Sequence, residues 1–152
     1  MKQRLNFFAA APELMKQVVA LNTAINECGL EHGLLHLIKL RASQINGCSY
    51  CVDMHNREAK QDGETEQRLW LVAAWKESPL FSDRERMAFA WTETVTNIAD
   101  AGVPAELYAE ALKHFSAEEL VKLTLAVGMI NTWNRLCVAF HALHPVAAAK
   151  AA

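Results

Sequence analysis

The sequence predicts an all-α protein, on three observations. Apolar residues recur at i, i+3 and i+4 along most of the chain, strand-like alternation is almost absent, and Gly or Pro falls mainly where helices should begin or end. About six to seven helices are expected from this pattern. They form one domain over residues 1–152, because no stretch reads as a linker, a repeat or a low-complexity segment.

Pro12, at a first-turn position, opens the first helix, which runs to about Glu27 with Leu14, Val18, Leu21 and Ile25 as its apolar face. The second spans about Glu31 to Ile45 and carries Leu34, Leu37, Ile38 and Arg41. Asn46-Gly47 then breaks the chain, so that Cys48 to Lys60 forms a helix that ends before a Gly63 C-cap. Glu66 to Trp75 makes a short helix ahead of a loop at Ser78-Pro79. Ser82 with Glu85 is a capping box for a helix to about Ile98, and Pro104 opens another to about His114. Ser116 with Glu119 is a second capping box, at the start of the long last helix. The alanine-rich end, Val146 to Ala152, has little to hold it and is expected to fray.

Composition narrows the function classes. A chain of 152 residues supports one real core and not two. Fifteen basic against seventeen acidic side chains, with no basic tail or stripe, argue against nucleic acid as a partner. No uncharged stretch approaches the roughly 18 residues of a membrane span, and the apolar run after Arg4 is too short for a signal peptide and is interrupted by Pro12. The expected location is the cytoplasm, where four cysteines point to reactive or buried thiols rather than a disulfide framework. No Gly-rich phosphate loop suggests a nucleotide, and no cofactor is expected.

The chemistry concentrates in Cys48-Ser49-Tyr50-Cys51 and His55. Two thiols one helical turn apart can cycle between dithiol and disulfide, and a helix N-terminus, a second cysteine and a nearby imidazole each favour the thiolate. Cys48, Cys51, His55, Glu58 and Asp62 fall at i+3 and i+4 steps on one stripe, which places His55 to take a proton from Cys51. Glu58 either orients His55 or pairs with neighbouring Arg57 or Lys60. Spacing alone leaves two orders open. Cys51, nearest His55, attacks and Cys48 resolves; or Cys48 attacks, since the N-terminal cysteine of such a pair often has the lower pKa. A zinc site needs about four ligands, and the remaining cysteines, Cys28 and Cys137, stand alone and read as small buried hydrophobes, so no metal is expected; the alternative is a site of Cys48, Cys51 and His55 with one further histidine. Haem c attachment needs a histidine where Val52 stands, and a thioredoxin-type site needs a βαβ context.

The run Leu37-Ile-Lys-Leu-Arg-Ala-Ser-Gln-Ile-Asn-Gly-Cys-Ser-Tyr-Cys-Val-Asp-Met-His55 closely resembles the core motif of the alkylhydroperoxidase D-like (AhpD-like) proteins of the carboxymuconolactone decarboxylase superfamily. Ile130-Asn-Thr-Trp-Asn-Arg-Leu136 is similar to a stretch of one subgroup of them, and the resemblance extends over roughly residues 15 to 140, with the core motif near 34–86. It implies a compact all-helical bundle that forms homo-oligomers and acts as a dithiol peroxidase or a related disulfide reductase. By that analogy Cys51 carries the sulfenic acid, Cys48 resolves it, and His55 belongs to a proton relay. The relay in those proteins also uses a glutamate twelve residues before the first cysteine, and here that position is His36. An imidazole can carry the proton nearer neutrality, or the relay can be weakened. Glu31, about 140° away around a helix, is a poor substitute.

The expected function is thus thiol-dependent reduction of organic hydroperoxides or hydrogen peroxide in antioxidant defence, with Cys51, Cys48, His55 and His36 as catalytic residues and a dithiol or protein reductant as partner. The alternative is a redox-responsive oligomer or disulfide-exchange protein with little turnover. Trp133, Asn134 and Arg135, amid Leu125, Ile130, Leu136 and Phe140, read as structure before chemistry, as does Arg41; Tyr50 either contacts the peroxide or caps its pocket.

Overall fold

A computed structural model describes residues 1–146, so most of the tail expected to fray lies outside the described residues. Within them every regular element is helical, in the order α1 (Phe7–Ala10), α2 (Pro12–Asn26), α3 (His32–Ile45), α4 (Ser49–Gln61), α5 (Glu66–Leu71), a 3₁₀ turn (Val72–Glu77), α6 (Asp83–Thr96), α7 (Ile98–Ala101), α8 (Ala105–His114) and α9 (Ala117–Phe140). That is more helices than the pattern predicts. The additions are short, and each has a local cause.

The α1 turn forms because the Asn6 side chain accepts from the amides of Phe8 and Ala9. The helix predicted over 66–75 instead tightens at Val72 into 3₁₀ geometry, with Ala74 out of helical range. Residues three apart eclipse in a 3₁₀ turn, so Val72 and Trp75 are buried together. Trp75 stacks on Phe89 at 5.5 Å between ring centres. The helix predicted to run to Ile98 stops at Thr96, where the Asn97 amide group bonds back to the Glu93 carbonyl, and α7 restarts after it. Both capping boxes form, Ser82 with Glu85 and Ser116 with Glu119.

α3 is the central element. Leu37, Ile38 and Leu40 are wholly buried, and it packs on α4, α6 and α9. Leu34, Leu35 and Ile38 join Trp91, Phe115, Leu123 and Val127 in the larger core, while Leu37 and Leu40 join Leu69, Val72, Trp75 and Phe89 in a second.

The predicted inner face of α2 needs correction. Met15 and Ile25 are buried and Val18 is partly so, but Leu14 and Leu21 stand 66% and 49% exposed. α2 is turned so that Asn22 faces inward, where it accepts a hydrogen bond from the Trp133 indole at 3.1 Å. This polar anchor gives the partly buried Trp133 indole N–H its partner.

Candidate active site

The cysteine pair sits where α3 hands over to α4. Gly47, at φ +64°, makes the reversal that a side chain resists. Asn46 locks it: its amide group faces the carbonyl of Ala42 and the side-chain oxygens of Asn131 and Asn134, all within 2.9 Å. Asn134, wholly buried, also donates to the Ser43 hydroxyl, and Asn131 donates to Thr96. The asparagines of α9 thus hold the turn that presents the thiols. Cys48 is the N-cap of α4, and its sulfur accepts from the Cys51 amide. Cys48 and Cys51 are joined as a disulfide with Cα atoms 5.4 Å apart.

Both cysteines are 1% exposed. Access therefore depends on cavities, and the two sulfurs differ. A cavity of about 460 Å³ is lined by Cys51 and not by Cys48; Phe7, Phe8, Met54, Ile130 and Trp133 form the apolar part of its wall, and Tyr50, His55 and several polar side chains line the rest. A second cavity of about 250 Å³ lies between α3 and α4 and is lined by His32, His36, Gln61 and Asp62. Asn26, Lys39 and Glu58 border both.

His55 is 5% exposed, and its Nδ1 lies 3.2 Å from Glu58 Oε2. The two alternatives for Glu58 are thereby resolved in geometry, because Arg57 pairs with Asp53 and Lys60 with Glu66. Burial holds the His55 imidazole below its ordinary pKa, against the bond and charge of Glu58, which work to raise it. The same bond lowers the Glu58 carboxyl. The ring is neutral at pH 7, with its proton on Nδ1 toward Glu58 and a lone pair on Nε2, which is buried without a partner. His36 is arranged in parallel: Nε2 lies 2.7 Å from Asp62 Oδ2, and Nδ1 is buried without a partner.

Other expectations sort clearly. Arg41 bonds Glu93, which also takes the Trp75 indole, so its place is structural. Glu31 is committed to Arg84. Leu125 is 51% exposed and is not part of the core around Trp133. Cys137, which stands alone in sequence, lies with its sulfur within 4.8 Å of those of Cys48 and Cys51, and burial raises its thiol pKa. Sequence reasoning also missed Lys39, 8% exposed, whose Nζ donates to Asn26 at 2.5 Å. Burial lowers its pKa. A lysine inside the apolar run Leu37–Leu40 was the available signal.

Residues 12–94 match the model of the carboxymuconolactone decarboxylase family. The chain belongs to that family. The uncharacterized protein YdfG of Bacillus subtilis (strain 168) is 38% identical over 139 residues, 91% of this chain and 95% of that one. ATU0492 of Agrobacterium tumefaciens, a protein of unknown function described as a candidate antioxidant-defence protein AhpD, has a crystal structure that matches with a TM-score of 0.94. It is 49% identical and covers 96% of this chain and 100% of its own. The debrominase Bmp8, solved with 2,3,4-tribromopyrrole, shares the fold at a TM-score of 0.80 and 18% identity, over 88% of this chain and 72% of its own. These matches place the protein among the AhpD-like members of the carboxymuconolactone decarboxylase superfamily. Its Cys48–Cys51 disulfide and its buried histidine nitrogens are therefore features of a member of that family.

Proposed function

We propose that this family member is a thiol-dependent hydroperoxide reductase. The observation that carries the reading is that Cys51, and not its partner, lines the larger cavity, which has apolar and polar walls and also holds a neutral imidazole. In the reduced protein Cys51 gives its proton to His55 Nε2, and the thiolate attacks the peroxide O–O bond. The distal oxygen stays on sulfur as sulfenic acid and the alcohol leaves with the proton. Cys48 then condenses with the sulfenic acid, releasing water and forming the Cys48–Cys51 disulfide. An external dithiol returns the pair to thiols, which suits a reducing compartment such as the cytoplasm. His36 passes the proton outward through Asp62, whose side chain is 54% exposed. The apolar part of the wall, formed by Phe7, Phe8, Met54, Ile130 and Trp133, gives room for the alkyl group of an organic hydroperoxide.

Stopped-flow reaction of the reduced protein with cumene hydroperoxide tests this, with mass spectrometry of the product. Stoichiometric Cys48–Cys51 disulfide formed in seconds is the expected result, lost in Cys51→Ser. No reaction over minutes with demonstrably free thiols overturns it and leaves disulfide exchange or redox-dependent assembly.

A further inference from the structure

We propose that His36, His55 and Glu58 form a binding site for one divalent transition-metal ion of the zinc class. A ring nitrogen of each histidine and a carboxylate oxygen of Glu58 lie within 4.8 Å of one another, at the boundary between the two cavities. Both imidazoles are braced by carboxylates, His36 by Asp62 and His55 by Glu58. A carboxylate on one ring nitrogen directs the proton there and leaves the lone pair on the other, the arrangement that second-shell carboxylates impose on metal-binding histidines. Here the other nitrogens, His36 Nδ1 and His55 Nε2, are the ones buried with no partner.

Two buried lone pairs of like sign need a positive or proton-bearing guest, because an unpaired buried acceptor is costly. A divalent ion satisfies both. The local charge suits it: Glu58 and Asp62 outnumber Lys39, whose Nζ is held by Asn26. Bonds of about 2.0–2.1 Å from nitrogen and 2.0–2.2 Å from oxygen require the three atoms to draw closer. Glu58, with a side chain 47% exposed, has the freedom to swing inward; to ligate the ion it gives up its bond to His55 Nδ1, and Asp62 on His36 is then the brace that remains. The donor set of two histidines and a carboxylate exists because a histidine stands at position 36, where the resemblance leads one to expect glutamate.

A bound ion occupies the His55 lone pair and so withdraws the base beside Cys51. That consequence rests on the proposed peroxidase reading; the binding itself does not.

The test is calorimetric titration of the full chain in its disulfide form with zinc chloride. Cys48 and Cys51 are then unable to ligate, and Cys28→Ser removes the more accessible free thiol. One ion per chain is expected. Affinity should fall at least ~10-fold in His36→Gln and in Glu58→Gln, and by about 10-fold in Asp62→Asn, which loses only the brace. Cobalt(II) added to the wild-type disulfide form should give ligand-field bands without a thiolate charge-transfer band, a readout independent of how the variants fold. Absence of saturable heat, a thiolate band, or undiminished binding in folded His36→Gln overturns the proposal. No hydroperoxide enters the experiment, so its failure and that of the peroxidase reading are separately visible.

Discussion

His55 is poised by opposing neighbours. Burial lowers its pKa, helped by the charge of Lys39, while the bond and charge of Glu58 raise it, and burial prevails. In the unfolded chain the ring takes up a proton near pH 6.5, whereas the folded protein resists until a lower pH. Between those values the unfolded state binds more protons, so this contribution to stability is complete above about pH 6.5 and falls as the solution is acidified. An imidazole NMR titration of the disulfide form should place His55 below the ordinary histidine range. Glu58→Gln should move it lower and Lys39→Met higher; an opposite order would remove these contacts from its control. Cys137 alters a second expectation. With its sulfur beside the pair, Cys48→Ser alone leaves another thiol near Cys51. A sulfenic acid on Cys51 should therefore accumulate in Cys48→Ser/Cys137→Ser, detected by dimedone labelling and mass spectrometry. No adduct there after peroxide treatment would displace Cys51 as the attacking residue.

The α3–α4 junction and α9 act as one unit. Asn131 and Asn134 are polar residues on the buried side of an apolar helix, and their partners are the turn that carries Cys48 and the end of α6. Asn134→Ala should cost about 1–3 kcal/mol, because Asn46 and Ser43 lose buried partners. Urea unfolding would measure it, and a loss within error of zero would mean that the network is replaced by water. The boundaries of α3, α4 and α8 were legible because caps, periodicity and Gly or Pro breaks agree there. The 3₁₀ turn and α7 were not. Val72 and Trp75 adopt 3₁₀ geometry against Phe89 and Glu93, which lie far along the chain, whereas the stop at Asn97 is a side-chain bond to the nearby Glu93 carbonyl that apolar periodicity does not signal.

Across the whole molecule, Leu14, Leu21, Val121 and Leu125 remain substantially exposed on α2 and α9. Apolar side chains displaced outward by Asn22 suit a surface that another copy covers. We expect a homo-oligomer by light scattering coupled to size exclusion, with Leu21→Glu/Leu125→Glu shifted toward monomer; a wild-type monomer at micromolar concentration would refute this. Among the described residues no helix is long and apolar enough to cross a membrane.

The sequence by itself determined the helical class, the capped helix starts and the spacing of Cys48, Cys51 and His55, because each depends on residues within a few positions of one another. The tertiary structure alone decided which cysteine meets a cavity, that Glu58 and Asp62 brace two histidines on different helices, that Cys137 joins the pair, and which face of α2 turns inward. Apart from the Glu58–His55 contact within α4, those outcomes rest on contacts between segments far apart in the chain. They follow from how side chains pack and pair across the core, which local pattern does not encode.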